Sequence, residues 1–228
     1  MKHFVKILVF LALVAGCKDE EPLILDSGTE YFPLKKGLYH LYAVNEVRYT
    51  PGADPEELNY ELMTEVVDSF PSASTQFTYV VHRSRRPAAG SPWELLDTWS
   101  VRKGNSEVIV SEGNTAFVKV KFPVRGDSRW DGNIFNSLGE DAYEFKDIHQ
   151  PLELNGITFE NTMTVEQERN DDVIVFRDER REVYALNVGL VYKEITQLNY
   201  CTDDNCLGQQ KVEEGIEMKM VIKQHGRY

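Results

Sequence analysis

Cysteine is scarce in this chain of 228 residues: there are three, and none form the Cys-x2-Cys pairs that build zinc sites. Histidine is almost as sparse. His40, His82, His149 and His225 stand singly in the sequence beyond residue 16, without the His-x3-His spacing that argues for a histidine-built metal centre. No uncharged apolar run approaches the roughly 20 residues of a membrane-crossing helix. There is no internal repeat, no low-complexity tract and no Pro/Gly-rich linker, so a single domain is expected. Cationic residues are outnumbered, 25 Lys and Arg against 37 Asp and Glu, for a net charge of −12. Such a surface repels nucleic-acid phosphates and anionic headgroups, so no nucleic acid partner is expected. No cofactor and no metal are expected either.

What is present begins at the N-terminus. Lys2 and Lys6 flank the start of a short apolar run, Ile7 to Ala15, in the pattern of a secretory signal. The phrase "LVAGC", Leu13 to Cys17, resembles the lipobox of bacterial lipoproteins. That resemblance implies cleavage before Cys17 and acylation of its thiol, with residues 1–16 removed as signal peptide. Each buried CH2 of an acyl chain contributes roughly 0.8 kcal/mol, so two or three chains anchor durably where one does not. The mature chain would carry 23 basic and 37 acidic side chains, a net charge of −14.

Lys18-Asp19-Glu20-Glu21 follows directly. It is similar to the export signal by which Bacteroidetes lipoproteins reach the outer face of the outer membrane, which implies surface display. Residues 17–29 then form a lipidated, acidic, flexible tether, and 30–228 a single β domain. With Cys17 acylated, Cys201 and Cys206 in "NYCTDDNCLG" are left to pair in an oxidising compartment. Closing so small a loop stabilises by roughly 2 kcal/mol. A Cys-x4-Cys metal site with Asp203 and Asp204 is the weaker alternative, since nothing completes a tetrahedral shell.

Beyond the tether, apolar residues recur with period two. Tyr39, Leu41, Ala43, Val47 and Tyr49 share one face of a strand, as do Phe77, Tyr79 and Val81, and Trp93, Leu95, Trp99 and Val101. "SEVIVSEGNTAFVKVKFP" reads as a hairpin turning at Glu112-Gly113-Asn114, with Ala116, Val118, Val120 and Phe122 alternating against Phe117, Lys119 and Lys121. Asn155-Gly156 is the strongest two-residue hairpin signal. Further strands are expected at 59–69, 142–148, 173–177, 189–200 and 211–224. The fold class is therefore all-β: a single antiparallel β-barrel or bent β-sandwich of roughly ten strands, with at most one short helix near Arg180 to Ala185.

Three segments carry a second resemblance. "YFPLKKGLYHLYAV", "SRWDGNIFN" and "REVYALNVGLVYKEITQLNY" are similar to a pattern shared by Bacteroidetes lipoproteins of uncharacterised function. Leu38, Tyr39 and His40 stand where that pattern has a tryptophan after Gly37. The physical content of the segments is structural. Gly37 and Gly189 allow turns or close approach, and Tyr184, Val188, Leu190 and Tyr192 supply bulk for a core.

Catalytic strings are weak. Gly126-Asp127-Ser128 is similar to the serine block of GDSL-type hydrolases, but the α/β scaffold and late Asp-x-x-His pair of those enzymes are missing. Arg125-Gly126-Asp127-Ser128 spells an adhesion tetrapeptide; a turn-rich loop with Trp130 folded back on the barrel and a bend at Asp131-Gly132-Asn133 is the plainer reading. Asp171-Asp172 and Asp203-Asp204 fall at expected hairpin tips, short of the six to eight oxygens calcium takes. Arg83, Arg85 and Arg86 form a basic patch that could engage an acidic partner or a lipopolysaccharide phosphate, but a solvated, mobile loop is the plainer expectation. No catalytic residue is nominated, and the chain is not expected to be an enzyme. The leading expectation is a surface-displayed outer-membrane lipoprotein, a non-catalytic binding or scaffolding module. Its partners would be the membrane, through acyl chains on Cys17, and a larger outer-membrane assembly or extracellular ligand. The alternative is a lipocalin-like carrier of a small apolar ligand, its interior lined by Tyr39, Tyr79, Trp93 and Trp99; a hydrolase with an unread site is the third class.

Overall fold

The computed structural model describes residues 27–72 and 77–228. Cys17 and the tetrad Lys18, Asp19, Glu20 and Glu21 lie outside the described residues, as does the signal peptide. Twelve strands follow one 3-10 turn, Thr29–Tyr31. They are β1 (Leu38–Tyr49), β2 (Glu56–Pro71), β3 (Phe77–Arg86), β4 (Glu94–Lys103), β5 (Glu107–Glu112), β6 (Thr115–Lys121), β7 (Arg129–Asp131), β8 (Ala142–Leu154), β9 (Ile157–Asp171), β10 (Phe176–Ala185), β11 (Gly189–Tyr200) and β12 (Val212–Arg227).

All twelve belong to one sheet in the order β6-β5-β4-β3-β2-β1-β12-β11-β10-β9-β8-β7. Each chain neighbour pairs antiparallel, except that β6 does not ladder with β7, and β1 pairs with β12 to join the two halves. The sheet ends meet at a seam. There the Val118 amide donates to Gly132 O at 2.9 Å, and the Trp130 indole N–H donates to Val118 O at 2.8 Å. The result is a nearly closed barrel, which leaves little exposed strand edge to pair with another protein.

Residues 27–36 plug one end of this barrel. Lys103 Nζ donates to Thr29 O and Phe32 O at 2.7 and 2.9 Å, Asn187 N to Glu30 O at 2.9 Å and Val124 N to Ser27 O at 3.1 Å. Ser27, Gly28 and Thr29, read from the sequence as the end of a flexible tether, therefore belong to the folded domain. Gly28 has φ +73, and a Cβ there would come within 2.4 Å of the Val124 side chain. In a barrel of antiparallel neighbours, alternate connections share an end. The β1–β2, β3–β4, β5–β6, β7–β8, β9–β10 and β11–β12 turns thus ring the distal end, opposite the plug.

Several expected features are present. The β5–β6 hairpin turns at Gly113 (φ +60). Asn155 (φ +51) and Gly156 (φ +77) make the β8–β9 turn, and the Asn155 side chain donates to Ile222 O at 3.1 Å, tying this tip to β12. Trp130 is buried against Tyr143 and Phe145, so the plainer reading of the 125–133 loop is the observed one. Cys201 and Cys206 are bonded, with Cα atoms 5.8 Å apart, in the β11–β12 connection. Reducing them should lower stability by about 2 kcal/mol, read as a shift in the urea midpoint; an unchanged midpoint would show that the bridge closes a loop already ordered.

Six expectations need correction. Of the strand expected at 173–177, Val173 (φ +58) to Val175 belong to the β9–β10 turn and β10 begins at Phe176. Leu95, expected on a core-facing side of its strand, is exposed. The strand count is twelve rather than about ten. Arg180 to Ala185 is the end of β10, not a helix. Its backbone is laddered to β9 on one side and β11 on the other, and that pairing outweighs the helical preference of Arg, Glu and Ala. In β1 the buried face is the even one, with Tyr42, Val44 and Glu46 between 1 and 4 % exposed, while Tyr39, Leu41, Ala43, Val47 and Tyr49 are half-buried. Both parities of β1 are apolar, so the neighbouring strands decide which turns inward. The arginine patch lies on β3 instead of a mobile loop. Arg83 pairs with Asp97 at 2.9 Å and stacks 4.0 Å over Trp99; Arg86 pairs with Glu61 at 2.6 Å and stacks 4.3 Å over Trp93.

Candidate functional site

The barrel is hollow. Between the plug and mid-barrel lies a cavity of about 260 Å3. Its ceiling is Phe32, Pro33 and Leu34 from the plug. Its walls are mostly aliphatic and aromatic, including Tyr42, Val44, Leu62, Trp99, Leu190 and Met220. Of the four aromatics expected inside, Trp99 lines it, whereas Tyr39 stacks on Tyr228 with centroids 4.7 Å apart and Trp93 lies under Arg86. Tyr79 packs against the neighbouring core cluster.

One wall is charged. Glu182, 2 % exposed, accepts from Tyr184 Oη at 2.5 Å, pairs with Lys193 at 2.9 Å and faces Lys119 at 3.4 Å. Lys119 also pairs with Glu112 at 2.7 Å. All five side chains line the cavity. Strand alternation does not place Lys119 there. Val108 opposes Val120 and Ile109 opposes Val118, so Lys119 occupies a β-bulge and turns in between two buried valines. Period-two reading puts it on the solvent face. Glu182 escapes a reading of the sequence for the same reason that Arg180 to Ala185 reads as a helix; its one sequence signal is an acid between arginine and valine, which is uninformative.

Burial alone would push the Glu182 carboxyl up, but Lys119 and Lys193 beside it outweigh that and hold it well below the carboxylate range. Burial would pull the Lys119 ammonium down, and Glu182 and Glu112 raise it above its ordinary value instead. Burial and the adjacent Glu182 charge keep the Tyr184 phenol protonated far into alkaline pH. At neutral pH the cluster holds two ammoniums and two carboxylates, an overall charge of zero. Arg83, also on the cavity wall, is balanced by Asp97.

His40 borders the same cavity. Its Nε2 donates to Val188 O at 2.7 Å, and burial pulls its pKa down from 6.5 to about 4 against that hydrogen bond, with His225 adding to the depression. A depressed folded-state pKa contributes stability above pH 6.5 that is lost as pH falls toward 4. The loss should reach about 3 kcal/mol, at about 1.4 kcal/mol per unit. Urea unfolding of wild type and His40→Gln between pH 7 and 4 reads it: the variant's profile should be flatter, and parallel profiles would exclude His40 as the source.

Other sequence candidates are not brought together. Asp171 and Asp172 cap backbone amides of Val173, Ile174 and Val175 in the β9–β10 turn, and Asp203 O accepts the Cys206 and Leu207 amides inside the disulfide loop. Among the described residues no three His, Cys, Asp or Glu side chains converge as a metal-binding set. Asp127 is exposed and Ser128 half-buried in the turn between β6 and β7.

The fold and cavity define a twelve-stranded antiparallel β-barrel with a hollow, internally charge-balanced interior. No protein-family model and no curated protein sequence matches the chain. Two solved structures resemble it in shape. One is provisionally described as an exported protein with a YmcC-like fold from Bacteroides fragilis NCTC 9343. It is 14 % identical, with 86 % of this chain and 98 % of that one covered at a TM-score of 0.47. The other, from Parabacteroides distasonis ATCC 8503, is provisionally described as a lipoprotein. It is 12 % identical over the same shares at a TM-score of 0.40. Likeness at that level carries no argument about this chain's activity.

Proposed function

We propose that this protein is a non-catalytic, lipid-anchored binding module of the outer membrane, and that its ligand site is the barrel interior. The supporting observation is the cavity itself: apolar walls with a few convergent polar groups are the usual make-up of a small-molecule site. At about 260 Å3 it suits a ligand of modest size. Catalysis is not the reading favoured, because every charged group of the cluster is paired with an opposite charge.

The plug, with Ser27 where the described chain begins, lies at the end opposite the distal turns. Surface display on a lipid anchor would present those turns away from the membrane. They carry exposed aliphatic tips, among them Leu95 (60 %), Ile134 (60 %), Leu138 (66 %), Ile174 (46 %) and Leu207 (54 %). This favours a second role for the rim as a contact with a larger partner, where tethering raises the effective concentration.

Three measurements test the proposal. The purified chain should bind the neutral apolar fluorophore N-phenyl-1-naphthylamine with a rise in its emission. Ile195→Trp, which fills the cavity from a half-buried wall position, should abolish it; equal emission from both proteins would remove the cavity from the function. Cys17→Ser should release the domain from the membrane fraction, and protease added to intact cells should digest the wild-type domain. Retention of the variant, or resistance of the wild type until the outer membrane is opened, would refute the anchor or the outward orientation respectively.

A further inference from the structure

We propose that the cavity selects a neutral amphipath: a single apolar chain or ring ending in a hydroxyl or carbonyl oxygen, which Lys193 Nζ recognises as donor. This rests on the cavity being the ligand site, and it adds the chemical class of the ligand.

The argument is one of charge and hydrogen-bond capacity. The polar wall contains Lys119, Lys193, Glu112 and Glu182, whose ion pairs cancel, and Arg83 is cancelled by Asp97. Glu65 also borders the cavity, but Thr64 and Val66 on either side of it line the interior, so alternation turns its carboxylate outward. A ligand carboxylate or ammonium would therefore bring an unbalanced charge into a site walled by valine, leucine, methionine and aromatic rings, which costs far more than burying a neutral polar group.

A neutral oxygen has a place to go. Lys119 is held between two carboxylates, and Glu182 receives Lys193 on one oxygen and Tyr184 on the other. Among the described residues Lys193 has Glu182 as its ion-pair partner, and its ammonium carries further donors. Its side chain is 15 % exposed against 8 % for Lys119, so it is the less enclosed cation of the cluster. An acceptor oxygen at that point takes a charge-assisted hydrogen bond without disturbing either ion pair. The apolar remainder then lies along Val44, Leu62, Trp99 and Met220, away from the charged wall.

The test uses three eight-carbon probes, 1-octanol, octanoate and octylamine, displacing N-phenyl-1-naphthylamine from the whole purified protein at pH 7. Octanol should displace the fluorophore at a concentration at least tenfold lower than either charged probe. Lys193→Met should lower the affinity for octanol, taken relative to that for the fluorophore on the same variant, at least fivefold, and Lys193→Arg, which keeps the charge on Glu182, should retain that ratio within threefold. Octanoate or octylamine displacing as well as octanol overturns the neutral-head assignment while leaving the cavity reading in place. So does octanol binding that is indifferent to Lys193→Met. A fluorophore that does not bind at all overturns both. If Lys193→Met fails to fold, the order of the three probes on wild type still decides.

Discussion

Replacing Glu182 with alanine should destabilise the domain by about 3–5 kcal/mol, the cost of leaving buried charges without their partner. The carboxylate is 2 % exposed and is the common partner of Lys119, Lys193 and the Tyr184 hydroxyl. Removing it strands Lys119 between β6 and the interior with Glu112 alone. Lys193, less enclosed, can turn toward solvent, so Lys119 carries most of the penalty. Combining Glu182→Leu with Lys119→Met should recover part of the loss, because an apolar pair of similar volume restores packing and the charges left over, Glu112 and Lys193, are the more exposed members of the cluster. The sign of the pH dependence follows from the depressed Glu182 pKa. Its contribution is full above the ordinary value of 4.5 and is lost as pH falls below it; that of Lys119, raised, is full below 10.5 and lost as pH rises beyond it. Urea midpoints at pH 7 and 3.5 measure the first, and midpoints at pH 7 and above 10.5 the second: a wild-type to Glu182→Ala difference under about 1 kcal/mol at pH 7 would show that the cluster is hydrated and free to relax.

Trp130→Ala should cost a further class of stability, about 3–5 kcal/mol for a buried tryptophan, lowering the melting temperature by on the order of 10 °C. Trp130 is 7 % exposed, its ring 4.7 Å from Phe145 and 5.9 Å from Tyr143. Its indole N–H also closes the seam on Val118 O. The loss should therefore be uneven. Hydrogen exchange of the β6, β7 and early β8 amides should accelerate more than that of β1 and β12, which are paired on both sides through long ladders. Trp130→Phe keeps the ring contacts and orphans Val118 O, and should cost about 1–3 kcal/mol. Uniform acceleration across the barrel would mean that the seam opens only with the whole domain. An unchanged melting temperature would remove Trp130 from the closure altogether.

Much of this barrel was legible in the chain. The Asn155-Gly156 turn, the hairpin at Gly113, the strand over 189–200 and the inward fold of Trp130 all depend on local chemistry: positive-φ residues between alternating segments, and a large aromatic beside a tight bend. The lipobox-like phrase and the acidic tetrad are local as well, and need no fold to be read. Tertiary structure alone decided three things. It chose the even face of β1, because both faces are apolar and only β2 and β12 determine which is covered. It made a strand of Arg180 to Ala185, because backbone groups paired on both edges outweigh helical preference. And it turned Lys119 inward at a bulge, where one extra residue on β6 breaks the alternation on which any period-two reading depends. The charge-balanced cavity is the product of the last two. Glu182 and Lys119 are 63 residues apart and meet only when the sheet curls round, so no spacing in the sequence could announce them.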